Sequence, residues 1–181
     1  RIRRGERPLH ALRSRGVEYV EVRLMDLDPF EPVGIAAPTL RLLDIFLLQC
    51  LVDASPSDTP QEIADVRRNL QRVATRGREP GLMLFRGSEQ VSLSRWGNEI
   101  LMSCKPVAEA LDRALGGSAH QQALAGALSA VEDPQAVPSA RVLEAMAREH
   151  ANAFTRFALT ESQRHADRLK GLALPAKVEA R

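Results

Sequence analysis

Glu21 and Arg23 stand two residues apart in the stretch VEYVEVRLMDLDPF, residues 17 to 30. In a strand, residues i and i+2 project from one face about 7 Å apart. A carboxylate and a guanidinium would then lie side by side, with Tyr19 next to them. A carboxylate oxygen suits a hard divalent cation such as Mg²⁺, and a guanidinium fork holds phosphoryl oxygens that the metal leaves uncovered. Such a pair fits phosphoryl transfer, in which the catalyst mainly positions groups and neutralises charge. The same Glu-x-Arg pattern also serves as a solvated face or an exposed ion pair. Spacing alone leaves both readings open.

The element that must position the pair is a predicted strand over 17–25. Val20, Val22 and Leu24 share its core face; Val17, Tyr19, Glu21, Arg23 and Met25 share the other, and Glu18 lies opposite Glu21. Asp26 to Gly34, with two prolines and a glycine, reads as a loop in which Asp26 and Asp28 make local backbone bonds. A short helix over 7–15 precedes the strand, between Pro8 and Gly16.

The apolar residues of 39–53 cover most of a helical circumference, which predicts a buried helix. A more polar helix follows, with Thr59 as N-cap, Pro60 at its first position and Gly77 at its stop. Two short strands flank Arg86–Gly87–Ser88. Helices are predicted over 94–115, 119–131 and 139–170, the last capped by Ser139, with a frayed tail after Gly171. No internal repeat or low-complexity tract appears. The fold class is α+β, a few strands with a large helical body.

The 181 residues suffice for a real core, and 44% hydrophobic with 27% charged residues is ordinary for a globular protein. A net charge of +2 and only 4% aromatics argue against nucleic-acid binding, which favours a basic surface with stacking platforms. Among basic residues Lys occurs only at Lys105, Lys170 and Lys177; the Arg bias suits anionic ligands and equally reflects composition, since the chain is also rich in Ala. Cys50 and Cys104 lie on predicted helices without a CxxC pair, so no disulfide framework or metal cluster is indicated and a reducing, cytoplasmic setting is expected. The four histidines are far apart and read mostly as surface residues. LLDIFLLQCLV is too short and too interrupted to span a bilayer, so no membrane association is expected. The chain opens RIRRGERP, without Met and already polar, as expected of a fragment whose upstream part has been removed.

The run RPLHALRSRGVEYVEVRLMDLDPFEPVGI resembles the C-terminal part of the proteobacterial type of glutamate–cysteine ligase. The similarity continues through LRLLDIFLLQCLVDASP and RRNLQRVATRGREPGLML, and more loosely to PSARVLEAM. EYVEVR followed by DLDPF carries it most specifically. The resemblance implies a fold related to glutamine synthetase, with a curved, largely antiparallel sheet backed by helices, of which residues 1–181 would be a C-terminal portion. It implies that ATP phosphorylates the side-chain carboxylate of glutamate and that the amine of cysteine displaces phosphate, giving γ-glutamylcysteine, the first step of glutathione synthesis. It also implies Mg²⁺, with Mn²⁺ as a substitute. Glu21 would be a metal ligand, and Arg23 would contact the transferring phosphoryl group of ATP.

The upstream carboxylates, nucleotide pocket and most of the cysteine site of that family have no counterpart in these residues, so the chain alone is expected to be inactive. In NLQRVATRGREPGL, Asn69, Arg72, Arg76 and Arg78 either reach a ligand or face solvent. Two other readings stay open: a carboxylate–amine ligase with another amine acceptor, and a non-catalytic helical interaction module. The sequence leaves the oligomeric state open, a monomer included.

Overall fold

A computed structural model describes residues 5–23 and 25–172. Eight helices and one two-stranded sheet occur among them. Helix α1 spans Pro8–Arg15, with Pro8 at its first position and the Gly16 N–H closing it on the Leu12 carbonyl. Beyond it, residues 17–23 form no strand hydrogen bonds. Val17, Tyr19, Val20 and Val22 are exposed. This corrects the expected strand with a buried face, whose Leu24 lies outside the described residues. A strand exists only through a partner's backbone groups, and no described residue supplies them here.

The following loop is well tied down. Asp28 Oδ1 accepts the Phe30 N–H at 3.0 Å, and the Asp28 N–H donates to the Gly34 carbonyl at 2.9 Å. His165 reaches it from 136 residues away, its Nε2 donating to the Pro29 carbonyl at 2.7 Å. The Arg141 guanidinium lies 4.2 Å over the Phe30 ring.

Helix α2, Ala37–Val52, begins two residues before its expected start because Pro38 is tolerated in a first turn. It is not buried all round. Ile45 is fully buried, whereas Leu40, Phe46, Leu48, Leu51 and Val52 are exposed. Helix α3, Pro60–Arg76, carries the expected Thr59 cap as a complete capping box with Glu62. Strands β1, Met83–Arg86, and β2, Glu89–Ser92, pair antiparallel around a two-residue turn, Arg86 opposite Glu89. Gly87 takes φ +63° at the first turn position, where a Cβ would be strained.

The predicted helix over 94–115 is two helices, α4 (Leu93–Ser103) and α5 (Lys105–Leu115), separated at Cys104. Pro106 in the first turn of α5 has no N–H to continue the ladder. Helix α6, Ala119–Glu132, packs against α2, α4 and α5. The core between them is Ile45, Cys104, Ala108 and Leu124.

The predicted helix over 139–170 is likewise two, α7 (Pro138–Glu149) and α8 (Phe154–Lys170). Ala151 and Asn152 break it with φ of +51° and +58°. Val137, not Ser139, is the cap residue of α7; Ser139 falls within the helix behind Pro138. A second, aromatic cluster ties this region to the loop: Phe157 of α8 meets Phe30, His150 and Phe154 at centroid distances of 5.8, 5.6 and 6.3 Å. The tail from residue 173 lies outside the described residues. None of the described helices is long and apolar enough to cross a membrane. The α+β expectation holds in outline, as a mostly helical chain with one short antiparallel sheet.

Candidate functional site

The two residues whose spacing suggested chemistry do come together. Arg23 donates from Nε and Nη2 to a single oxygen of Glu21, Oε2, at 2.8 and 2.5 Å. Arg23 Nη1 and Glu21 Oε1 have no partner among the described residues. Both side chains face water, at 79% and 51% exposure. Glu21 also lines an open depression of about 850 Å³ between α1 and the 17–21 segment, with Ala11, Leu12, Arg15, Glu18 and Tyr19. Glu18 and Glu21 thus line the same depression, where strict strand alternation would have placed them on opposite faces.

The donor chemistry at Glu21 fits a hard cation. Magnesium takes one or two carboxylates and completes its shell with water and phosphate oxygens, and Oε1 is a free carboxylate oxygen of that kind. The donor number is short: no group of three or more metal-binding side chains occurs among the described residues. Arg23 Nη1 is correspondingly a free donor for an anionic oxygen. The pair presents one free carboxylate oxygen and one free guanidinium nitrogen, not a closed site.

Three of the four residues singled out in NLQRVATRGREPGL have structural work. The Asn69 amide donates to the Phe85 carbonyl at 2.7 Å and accepts the Phe85 N–H at 2.9 Å. Arg72 Nη1 donates to the Met83 carbonyl at 2.6 Å. Backbone groups at alternate positions of an antiparallel strand point away from the partner strand. Asn69 and Arg72 satisfy these outward groups of β1, so α3 stands in for a third strand. The Arg68 and Arg72 guanidinium groups also lie 4.0 and 4.5 Å over the Phe85 ring. Arg76 is paired with Glu79 at 2.7 Å.

The histidines depart from expectation. His120 and His150 are buried. Asp112 accepts the backbone N–H groups of His120 and Gln121 at 2.9 and 3.0 Å, and their side chains at 2.8 and 3.1 Å. Burial pushes the Asp112 carboxyl up, but these four hydrogen bonds outweigh it and hold it well below the usual carboxylate range. The arrangement ties the end of α5 to the start of α6. A sequence signal existed, an Asp and a Ser-x-His across Gly116–Gly117, but it reads as a turn. Cys104, fully buried in the core, has its thiol pushed up by burial and by Cys50, the behaviour of an inert thiol.

Comparison with known proteins supplies what the open surface cannot. The family model described as glutamate-cysteine ligase matches residues 1–73, a stretch that includes Glu21 and Arg23. A glutamate–cysteine ligase of Pseudomonas entomophila is 44% identical over 173 residues, 96% of this chain and 32% of the relative. One from Bordetella parapertussis is 46% identical over 178 residues, 96% of this chain and 33% of the relative. Almost the whole of this chain is thus similar to glutamate–cysteine ligases. It spans about a third of the length of the curated relatives it matches. Among solved structures, the glutamate–cysteine ligase of Francisella tularensis in complex with AMP matches with a TM-score of 0.84 and 34% identity. That match covers 99% of this chain and 35% of the Francisella chain.

Proposed function

We propose that the chain is the C-terminal portion of the catalytic domain of an ATP-dependent glutamate–cysteine ligase, a cytoplasmic enzyme on a glutamine-synthetase-like fold. The supporting observation is identity of 44% along 96% of the chain to a ligase of that name, with the family match running through Glu21 and Arg23. The AMP held by the Francisella relative supports an adenine nucleotide as co-substrate. Relatives named as ligases also weigh against a non-catalytic helical module.

A carboxylate does not react with an amine until it carries a leaving group. In the proposed reaction the γ-phosphoryl group of ATP passes to the side-chain carboxylate of glutamate, giving γ-glutamyl phosphate and ADP. The amine of cysteine then attacks the acyl carbon, and phosphate departs. Magnesium, when bound, neutralises the phosphate charge that the incoming carboxylate must approach. Arg23 offers Nη1 to a phosphoryl oxygen while Nε and Nη2 stay anchored on Glu21. Glu21 keeps Oε1 for the metal. Each residue therefore steadies the other and still has one free functional atom. Further ligands must come from elsewhere in the ligase, so residues 1–181 alone are inactive.

The test is glutamate- and cysteine-dependent ADP release by the ligase that contains this chain, wild type against Glu21→Gln. The amide keeps size and hydrogen bonding but loses the charge. A drop of about 100-fold or more, partly relieved by raised Mg²⁺, is the expected result. Unchanged turnover would remove Glu21 from the metal site, and no turnover in the wild type would remove the ligase reading.

A further inference from the structure

Helix α3 is amphipathic the wrong way round for a helix that ends at water. Its buried residues are Asp65 and Asn69, and the Asn69 amide faces the β1–β2 hairpin. Its apolar residues Ile63, Val66, Leu70 and Val73 recur at helical spacing and are 50%, 63%, 57% and 40% exposed. A helix normally puts such a stripe against a core, because about 25 cal/mol is gained for each Å² of apolar surface removed from water. Here Asn69 is satisfied by the hairpin and Asp65 Oδ1 by Gln61 and Arg68, while the apolar face stays largely exposed among the described residues. Isolated exposed apolar residues are ordinary; a continuous stripe marks an interaction surface.

Two occupants can be weighed. A second copy of the chain would have to be held by four aliphatic side chains spread along about 15 Å of helix, far short of the about 800 Å² per partner of a stable dimer. An occupant on the same polypeptide needs no such area, because joining the two surfaces raises their effective concentration. The Francisella ligase points the same way: it contains this fold with a TM-score of 0.84 but devotes only 35% of its length to it. Most of that chain is thus available to lie against the shared part.

We propose that the Ile63–Val66–Leu70–Val73 face of α3 is the seat of an apolar surface contributed by the ligase region outside residues 1–181, packed within one polypeptide. This rests on the ligase reading above. The hairpin, gripped by Asn69 and Arg72 on the other side of α3, is then carried with α3 as one unit against that region.

The experiment places the photo-cross-linker p-benzoylphenylalanine at Leu70, and separately at Ile63, in the ligase that contains this chain. Products are sized and mapped by mass spectrometry. The expected result is a cross-link within a monomer, to a peptide outside residues 1–181, from both positions. Cross-links between two copies would overturn the proposal in favour of a dimer face. Absence of cross-links would overturn it in favour of a solvated face. Val66→Glu, assayed for cross-link yield from Leu70, is expected to cut that yield at least fivefold, while Gln71→Glu, also exposed on α3, leaves it unchanged. Each preparation is also assayed for ADP release, so that an inactive wild type, which defeats the ligase reading, is told apart from a failed cross-link.

Discussion

Replacing Asn69 by Ala should detach the hairpin from α3 without disturbing the helical core. The side chain makes two hydrogen bonds, at 2.7 and 2.9 Å, to the carbonyl and N–H of Phe85. Each such bond contributes about 1 kcal/mol net, and a backbone group left unpaired and poorly hydrated costs about 1–3 kcal/mol. Asn69 is buried, but the hairpin edge is near enough to the surface for water to replace part of the loss. The expected destabilisation is therefore about 2–3 kcal/mol, or a fall in Tm of about 4–12 °C for a chain of this size. Amide hydrogen exchange provides the local check. The Phe85 N–H should lose protection first, and amides of α6 should lose only what the global change requires. Asn69→Asp keeps the acceptor for the Phe85 N–H but turns a carboxylate toward the Phe85 carbonyl, so it should not rescue. A loss below about 0.5 kcal/mol, the scale of an ordinary surface substitution, with Phe85 protection intact, would refute the claim that α3 replaces a third strand.

The Asp112 carboxyl is held below its ordinary value in the folded chain. Its contribution to stability is thus fully present above the unfolded carboxylate range and is lost as pH falls below about 4. Thermal melts of Asp112→Asn against wild type should show the variant less stable at neutral pH, with the gap narrowing at pH 3. Ala151 sits at φ +51°, where an L side chain is strained; Ala151→Gly should raise stability by about 0.5–1 kcal/mol in urea unfolding. Gly97 of α4 faces Val131, whose Cγ1 would lie 3.1 Å from an added Cβ. Gly97→Leu should cost about 1–3 kcal/mol by overpacking, measured by the same unfolding experiment.

What could be read from the sequence was whatever local chemistry decides. Pro8 and Pro60 each open a helix, and Thr59 caps α3 as its place before Pro60 announces. The Arg86–Gly87–Ser88 turn was legible because a two-residue hairpin turn wants Gly where φ is positive. The α7–α8 break was not, since Ala151 and Asn152 are neither Gly nor Pro. Pro106 was visible, yet a proline in the first turn of one helix looks the same as one inside a longer helix until the ladder is seen to stop at Cys104. Asn69 and Arg72 could not be assigned, because their partners are backbone groups of Met83 and Phe85 that every sequence possesses. Spacing set Glu21 beside Arg23, and the two do pair, but the strand assumed for them does not form over residues 17–23.

On the proposed ligase reading, that difference says what the rest of the ligase would do. Unit charges 4 Å apart attract by about 1 kcal/mol in water and about 4 kcal/mol at the effective dielectric of a protein surface. With 51% and 79% exposure, Glu21 and Arg23 sit nearer the first limit. An exposed pair of this kind neither holds a metal tightly nor steers a phosphoryl group, because water screens both tasks. Neighbouring strands would give residues 19–23 the ladder hydrogen bonds of a strand and exclude the water that weakens the pair. Folding and catalysis would then depend on the same event, since a sheet that paired this segment would also give its two charges their strength. Glu21→Gln should accordingly be almost silent in the stability of residues 1–181 alone and severe in the turnover of the complete ligase. A comparable loss of stability in both would show that the pair serves the fold rather than the reaction.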